Sequence, residues 1–394
     1  MKILVICQHY YPENFVITKI AEEFLNQGHD VTVLTGKPNY GYDGKIPEEY
    51  RKVKYEEING VKVHRVKLYP RKKGRLSIIR NYLSFWRNSK KWVRKCKEKY
   101  DIVYSMSISP ATILAPGNLY KKKHNVPHIV HCVDLWPESV LITHAVRKKS
   151  LVYRWLYKWS RSLYSHADRI IIGSPSYKEY FENVLKITDK GFRYIPQPSL
   201  VEEYHGEAFK YDKDVFNMLY CGNLGTIQLI PLIPEAMNLL KDEKVHFHII
   251  GMGPMSDSLK ESIAKYNLKN VTYYGPMAAP KAAQYFVDAD ALYVPLKGEG
   301  SVGKTIPNKT IMSMAFKKPI LAVLKGDGRW LLEESKGAVF ADENAESIAN
   351  AIREMMKMSK ENLALLGSNN YNYYHHNLTV KKITEEILKE LIVK

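Results

Sequence analysis

Three glycines, Gly298, Gly300 and Gly303, follow the apolar run 291–296, and two lysines, Lys304 and Lys309, come next. Glycine lets neighbouring backbone N–H groups turn toward one point, and a following helix N-terminus adds partial positive charge. Two ammonium groups on the same rim complete what an anion the size of a phosphate or diphosphate requires. An ordinary turn beside a core helix would use the same residues, so the rest of the chain must decide between the two readings. A second turn, Gly222-Asn223-Leu224-Gly225, follows the apolar run 217–221 and can present backbone donors at a strand end. When a sugar–diphosphate bond breaks, negative charge grows on the leaving phosphate, and cations with oriented N–H groups stabilise it as it develops.

Other chemistry-bearing residues are sparse. Asp134 stands at the end of the apolar run 129–133, with His131 three residues before it. A carboxylate there can accept a hydroxyl proton or orient a sugar; it fits a helix N-cap before Leu135-Trp136-Pro137 as well. Asp288-Ala289-Asp290 has the spacing of a metal-binding aspartate pair, but it leads straight into a buried strand. No carboxylate–histidine cluster suggests a metal. Cys7, Cys96, Cys132 and Cys221 are scattered with no C-x-x-C pair, which fits free thiols in a reducing cytosol.

These residues need rigid elements to hold them, and the hydrophobic pattern supplies a repeating set. Runs 291–296 and 320–324 read as strands around a helix at 306–316. In such strand–loop–helix–strand units ligands bind beyond the carboxyl ends of the strands. The N-terminal half opens the same way: strand 2–7, helix 17–26, strand 30–34. Its first loop lacks a G-x-G-x-x-G fingerprint, which argues against a dinucleotide there. Strands at 101–106, 129–133, 167–172 and 192–195 alternate with helices at 76–97, 151–164 and 176–184. Pro196-Gln197-Pro198-Ser199 reads as a hinge. The second half restarts at 217–221 and continues with strands 245–250 and 271–274. The expected fold is α/β, two doubly wound Rossmann-like domains facing across a cleft: 1–197, 198–375, and a last helix, 376–394, returning to the first.

The formal net charge of the 394 residues is +18, which points to a polyanionic partner or surface. Residues 71–99 hold twelve Lys or Arg against one acid, and 147–161 hold six against none. Both stretches interleave the charge with large rings: Tyr82, Phe85, Trp86 and Trp92, then Tyr153, Trp155, Tyr157 and Trp159. A basic amphipathic segment with Trp and Tyr suits an anionic membrane surface. A core-facing stripe at Ile79, Leu83, Trp86 and Val93 with a solvated basic back is the other reading. No base-reading or stacking motif supports nucleic acid. No run reaches the roughly 20 apolar residues of a membrane span, and the N-terminal apolar run is too short for a signal peptide.

Five blocks recur in this order in one known family: Tyr10-Tyr11-Pro12-Glu13-Asn14, Thr35-Gly36-Lys37-Pro38-Asn39-Tyr40, Asp134-Leu135-Trp136-Pro137-Glu138-Ser139, Gly222-Asn223-Leu224-Gly225-Thr226, and Pro307-Asn308-Lys309 ahead of Lys318-Pro319-Ile320. Over nearly the whole chain the sequence resembles glycosyltransferase family 4, in the branch of N-acetyl-L-fucosamine transferases of O-antigen, capsule and colanic-acid assembly. The resemblance implies a GT-B fold and a UDP-sugar donor held by the C-terminal domain. It implies transfer with retention at the anomeric carbon and no metal or other cofactor. The acceptor would be a sugar on an undecaprenyl diphosphate carrier at the inner face of the cell membrane, and the protein would be cytoplasmic and peripheral.

Beside that resemblance, Lys304 and Lys309 are the residues expected to meet the donor phosphates, returning from the facing loop the charge that the turn at Gly222 lacks. Gly222, Asn223, Gly225, Gly253 and Gly303 go to the donor site, and Met277 to contact with the base. Tyr11, Glu13, Asn14 and Asn39 lie on loops that approach donor diphosphate and acceptor, and Asp134 would face the cleft. Relatives carry an Arg and a Lys in and after the first turn, where this chain has Asn223 and Gln228. Met312 replaces the family's ribose-binding Glu, with Glu299 the candidate substitute, and Lys304 replaces a second acid. That departure keeps an alternative open: a GT-B binding subunit that no longer catalyses.

Overall fold

The computed structural model describes the chain except residues 43, 73, 143–145, 148–149, 200, 202–203 and 393–394. Two compact units emerge, Met1–Leu200 together with Val380–Lys394, and Val201–Thr379.

The first unit runs β1 (Lys2–Ile6), α1 (Ile17–Asn26), β2 (Asp30–Gly36), β3 (Tyr55–Ile58), β4 (Val61–Val66), α2 (Arg75–Lys95), β5 (Ile102–Ser107), α3 (Leu114–His124), β6 (His128–Cys132), α4 (Glu138–Ile142), α5 (Leu151–Ser165), β7 (Arg169–Ile172), α6 (Tyr177–Glu179) and β8 (Phe192–Tyr194). The sheet order is β3-β4-β2-β1-β5-β6-β7-β8, and every pairing is parallel except β3 with β4. Strands such as Ile102–Ser107 are buried at every position, as a sheet covered on both faces requires. The order reverses between β1 and β5, so the loops after these two strands flank the switch point.

Helix α2 corrects the apolar stripe read from the sequence. Its inward face is Asn81, Phe85, Ser89 and Val93, while Ile79 and Leu83 are exposed and Trp86 is half-buried. Two of the four inward residues are polar, and each is satisfied locally. Ser89 donates to the Phe85 carbonyl, and Asn81 bonds Gln8, Asn39 and the Tyr69 carbonyl. Lys123 caps the other end of α2, its Nζ lying 3.2, 3.1 and 2.7 Å from the carbonyls of Val93, Arg94 and Cys96.

The second unit runs β9 (Phe216–Cys221), α7 (Leu232–Leu239), β10 (Val245–Ile250), α8 (Ser256–Lys265), β11 (Val271–Gly275), α9 (Ala279–Asp288), β12 (Ala291–Pro295), α10 (Asn308–Ala315), β13 (Ile320–Val323), α11 (Gly326–Ser335), β14 (Ala338–Phe340), α12 (Ala345–Lys357) and α13 (Lys360–Asn377). Its sheet is wholly parallel in the order β11-β10-β9-β12-β13-β14. Counted from its own first strand this is 3-2-1-4-5-6, the nucleotide-binding arrangement, with the switch point between β9 and β12. The core joins Met218, Tyr220, Phe247, Ile249 and Tyr293 of the strands to Ile348, Ile352 and Met355 of α12.

The last helix, α14 (Val380–Leu391), belongs to the first unit and packs on α1. Ile383, Ile387 and Leu391 are buried at helical spacing. Arg169–Glu390 at 3.0 Å and Arg193–Glu386 at 3.3 Å are partly exposed ion pairs along its edge. The buried face should carry the attachment. Ile387→Ala is expected to destabilise the first unit by about 2–5 kcal/mol, and Glu390→Ala by less than about 1 kcal/mol. Urea denaturation of the two variants measures this; equal costs would contradict it.

Candidate functional site

The glycine turn after β9 and the glycine loop after β12 meet at the second unit's switch point. The Lys297 N–H donates to the Ile227 carbonyl at 2.8 Å and joins them directly. Not every predicted backbone donor is available. Gly222 N–H is taken by the Ile250 carbonyl at 3.0 Å and Leu224 N–H by that of Met252 at 2.9 Å. The amides of Asn223, Gly225, Thr226 and Ile227 have no acceptor among the described residues. They precede or open the short helical turn Thr226–Gln228, where N–H groups are left over by construction. Asn223 and Gln228, standing where relatives carry cations, lie with their side-chain amides 3.4 Å apart.

Lys309, in the first turn of α10, brings charge to this turn. Its Nζ donates to the Tyr220 hydroxyl at 2.8 Å and lies 4.5 Å from the centre of the Tyr220 ring. It passes so close to Gly222 that an added Cβ there would sit 3.3 Å from Nζ. The Tyr220 hydroxyl donates in turn to the Asn223 carbonyl at 2.6 Å. Among the described residues no carboxylate pairs with Lys309. Burial pushes its pKa from 10.5 down to about 8, opposed only by the Cys221 thiolate form. A half-buried cation with no carboxylate partner among the described residues, close to amides without acceptors there, suits an anion.

The glycine loop is braced on its other side by residues that no motif announced. Gly298 N–H donates to Glu343 Oε1 at 2.8 Å, and Lys325 Nζ lies 3.6 Å from the same oxygen. Glu343 follows β14 and Lys325 follows β13, so consecutive strand ends hold one loop. Gly303 packs against the Gly298 carbonyl, where an added Cβ would come within 2.5 Å. Gly326 has φ +57° and its Cβ position lies 2.1 Å from the Gly303 carbonyl, so only glycine fits. Lys304 is half-buried in the same loop. Glu299 is exposed and ion-paired with Lys297 at 3.0 Å.

Gly253 serves the approach of two loops: an added Cβ would meet the Leu224 carbonyl at 2.4 Å. Met277 is half-buried in the loop after β11, and Met312 half-buried on α10. Among the described residues no three His, Cys, Asp or Glu side chains converge as a metal site.

In the first unit Tyr11 and Asn14 are exposed on the loop after β1, Tyr11 at 48%. Glu13 is buried and already occupied. Its Oε1 accepts from the N–H groups of Asn39 at 2.8 Å and Tyr40 at 2.5 Å, and its Oε2 lies 3.0 Å from His9 Nδ1. Glu13 thus ties the loop after β1 to the loop after β2. Asn39 is buried too, donating to the Lys37 carbonyl and accepting from Asn81. Arg65, buried on β4, reinforces the joint through the carbonyls of Gly36 and Tyr11.

Asp134 sits after β6, and α4 begins four residues later at Glu138, so it does not cap that helix. Its carboxylate accepts a long 3.4 Å bond from Ser109 N–H, and burial raises its pKa. His131 is structural, lying between the Tyr104 hydroxyl at 2.8 Å and the Ile195 carbonyl at 2.9 Å; burial lowers its pKa to about 4. Lys148 and Lys149 of the second basic stretch lie outside the described residues.

The low pKa of Lys309 makes a stability prediction. Between pH 8 and 10.5 the unfolded chain keeps a proton that the folded chain has released, so stability rises with pH there. Lys309→Met removes the buried charge at similar volume. It should stabilise the protein at pH 7, and the advantage should shrink as the pH is raised through that window. Urea denaturation at pH 7 and 9.5 tests this; an equal offset at both would contradict it.

Comparison with known proteins adds a family. Residues 14–196 match the glycosyl transferase 4-like domain, and residues 216–358 match glycosyl transferases group 1. WbjE of Pseudomonas aeruginosa, named a probable glycosyltransferase, is 28% identical over 236 residues, 57% of this chain and 58% of that one. WcaI of Escherichia coli (strain K12), named as a glycosyl transferase of colanic acid biosynthesis, is 24% identical over 390 residues, covering 92% and 94%. Among solved structures, sucrose-phosphate synthase of Thermosynechococcus elongatus superimposes with a TM-score of 0.76 at 16% identity, covering 99% and 98%. Anabaena HepE in complex with UDP gives 0.70 at 15%, covering 99% of each chain. Two domain families in tandem, on two parallel-sheet α/β units, place the chain in family 4 of the GT-B glycosyltransferases.

Proposed function

We propose that the second unit holds a UDP-sugar, with its diphosphate at the turn after β9, and that the sugar passes to a saccharide on an undecaprenyl diphosphate carrier. Lys309 carries this reading: a half-buried ammonium, held on Tyr220 and passing close to Gly222; among the described residues it has no carboxylate partner, and four amides of that turn have no acceptors. These groups would stabilise the departing UDP, with Lys304 supplementing them from the glycine loop, so that no metal is called on for that charge. Transfer would proceed with retention, the leaving phosphate oxygen taking the acceptor proton. The sugar would be an N-acetylated hexosamine or deoxyhexosamine, and the setting capsule, O-antigen or exopolysaccharide assembly; for the setting, the colanic acid biosynthesis in the name of WcaI is the support. Asp134, weakly bonded and with a raised pKa, would orient the acceptor.

A lipid-borne acceptor calls for a membrane-facing surface. Leu76 and Ile79 on α2 and Leu151, Val152 and Trp155 on α5 are exposed by 51–81% among basic residues. No described helix is long and apolar enough to cross a membrane. The reading is therefore peripheral attachment to anionic lipid at the inner face of the cell membrane.

A second reading, a GT-B subunit that binds without catalysing, is favoured by Met312, which leaves α10 without the family's ribose-binding acid.

Incubation with a panel of UDP-sugars and a polyprenyl-diphosphate-linked saccharide should yield an extended saccharide by mass spectrometry. Lys309→Met should lower kcat/KM by about a hundredfold or more. No product with any donor, together with no UDP binding by calorimetry, would contradict the transferase reading. If wild type is active and Met312→Glu alters donor affinity alone, the subunit reading fails.

A further inference from the structure

We propose that Arg71 is a phosphate-binding subsite for a prenyl diphosphate, with the exposed start of α2 receiving the hydrocarbon. The proposal deepens the acceptor reading above and rests on it for the identity of the lipid.

Arg71 lies between β4 and α2, half-buried. Its guanidinium carbon is 5.2 Å from the centre of the Tyr40 ring and 5.4 Å from that of Tyr82. One N–H, on Nη1, donates to the Tyr82 hydroxyl at 3.1 Å. No carboxylate pairs with Arg71 among the described residues, so most of its five donors are uncommitted. The two rings are themselves fixed. Tyr40 packs edge-on against His9 at 5.4 Å and Phe15 at 5.5 Å, and its N–H is held by Glu13. Tyr82 stands on α2. The Lys72 N–H donates to Ser77 Oγ at 2.8 Å, which folds the Arg71 segment onto the helix start.

A planar cation that lies against two aromatic rings, 5.2 and 5.4 Å from their centres, with most of its fork open forms a clamp that favours a phosphate, because part of its rotamer freedom is already lost. The surroundings say which kind. Leu76, Ile79 and Leu83 are exposed by 72%, 51% and 39%, at i, i+3 and i+7 along one side of α2. Ile79 is one turn from Tyr82 and so adjoins the clamp. Inorganic phosphate or a nucleotide has no use for an apolar stripe next to its charge. A phosphate ester of a long hydrocarbon uses both, and the exposed Arg75 and Arg80 flank its path.

The test is calorimetry with three soluble probes, farnesyl diphosphate, inorganic pyrophosphate and UDP, and co-sedimentation with phosphatidylglycerol vesicles. Arg71→Met should weaken farnesyl diphosphate about tenfold or more, and Tyr40→Ala should weaken it in the same direction by loosening the clamp. Ile79→Ser should weaken farnesyl diphosphate and leave pyrophosphate unchanged. Wild-type affinity for farnesyl diphosphate in Arg71→Met overturns the proposal. So does a loss confined to vesicle binding, which would assign Arg71 to bulk lipid headgroups. UDP binding should be the same in wild type and all three variants. Its absence from the wild type would defeat the donor reading and leave the farnesyl diphosphate comparison to decide this one.

Discussion

One constraint shapes the second unit: a half-buried lysine ammonium with no carboxylate among the described residues to neutralise it. Burying a charge is costly, and a protein normally pairs it or discharges it. Here Lys309 has a tyrosine hydroxyl and a ring face against it, and it passes close to Gly222 at the start of the turn whose amides are donors too. The ring face and the hydroxyl oxygen offset part of the ammonium's lost hydration without neutralising its charge, so the ammonium and the amides remain to attract a negative ligand. An ordinary surface lysine on a turn would be hydrated, and its pKa would not fall.

The fold explains how such a spot can exist. In the order β11-β10-β9-β12-β13-β14 the chain leaves β9 and β12 in opposite directions, and the loops that follow them, joined by the Lys297–Ile227 bond, frame the strand ends at the switch point. One loop contributes amides, the other leads into α10 and carries Lys309. The glycine loop keeps its shape because Glu343, Lys325 and Gly326 reach it from the next two strand ends. The first unit uses the same principle differently. There Glu13 and Arg65 are consumed in joining loops, and that joint fixes Tyr40 beside Arg71.

The sequence made the two doubly wound units legible because their strands are near-continuous apolar runs, followed in the second unit by glycine turns. It did not reveal α3, whose LAPGNLYKKKH includes Pro and Gly, nor α11, which opens Gly-Asp-Gly, nor α13, rich in Asn, Tyr and His. Tertiary packing makes these helices, and local periodicity does not. The inward face of α2 was hidden for the opposite reason. Asn81 and Ser89 occupy core positions while Leu76, Ile79 and Leu83 stay outside, so hydropathy pointed to the wrong side. In the candidate site Lys304, Lys309 and the glycines could be named from spacing. Tyr220, a strand-interior tyrosine, and Glu343, far along the chain, could not, because only the sheet order brings them to the loop. Nor did spacing show that Gly222 N–H and the Glu13 carboxylate are already engaged.

The most direct test of the buried-cation account is an NMR titration of the Lys309 side chain, selectively labelled, with and without UDP. The account predicts a pKa near 8 in the free protein, moving upward by more than a unit when the diphosphate binds. A free-protein value near 10.5, the ordinary lysine value, or one that UDP leaves unchanged, would contradict it.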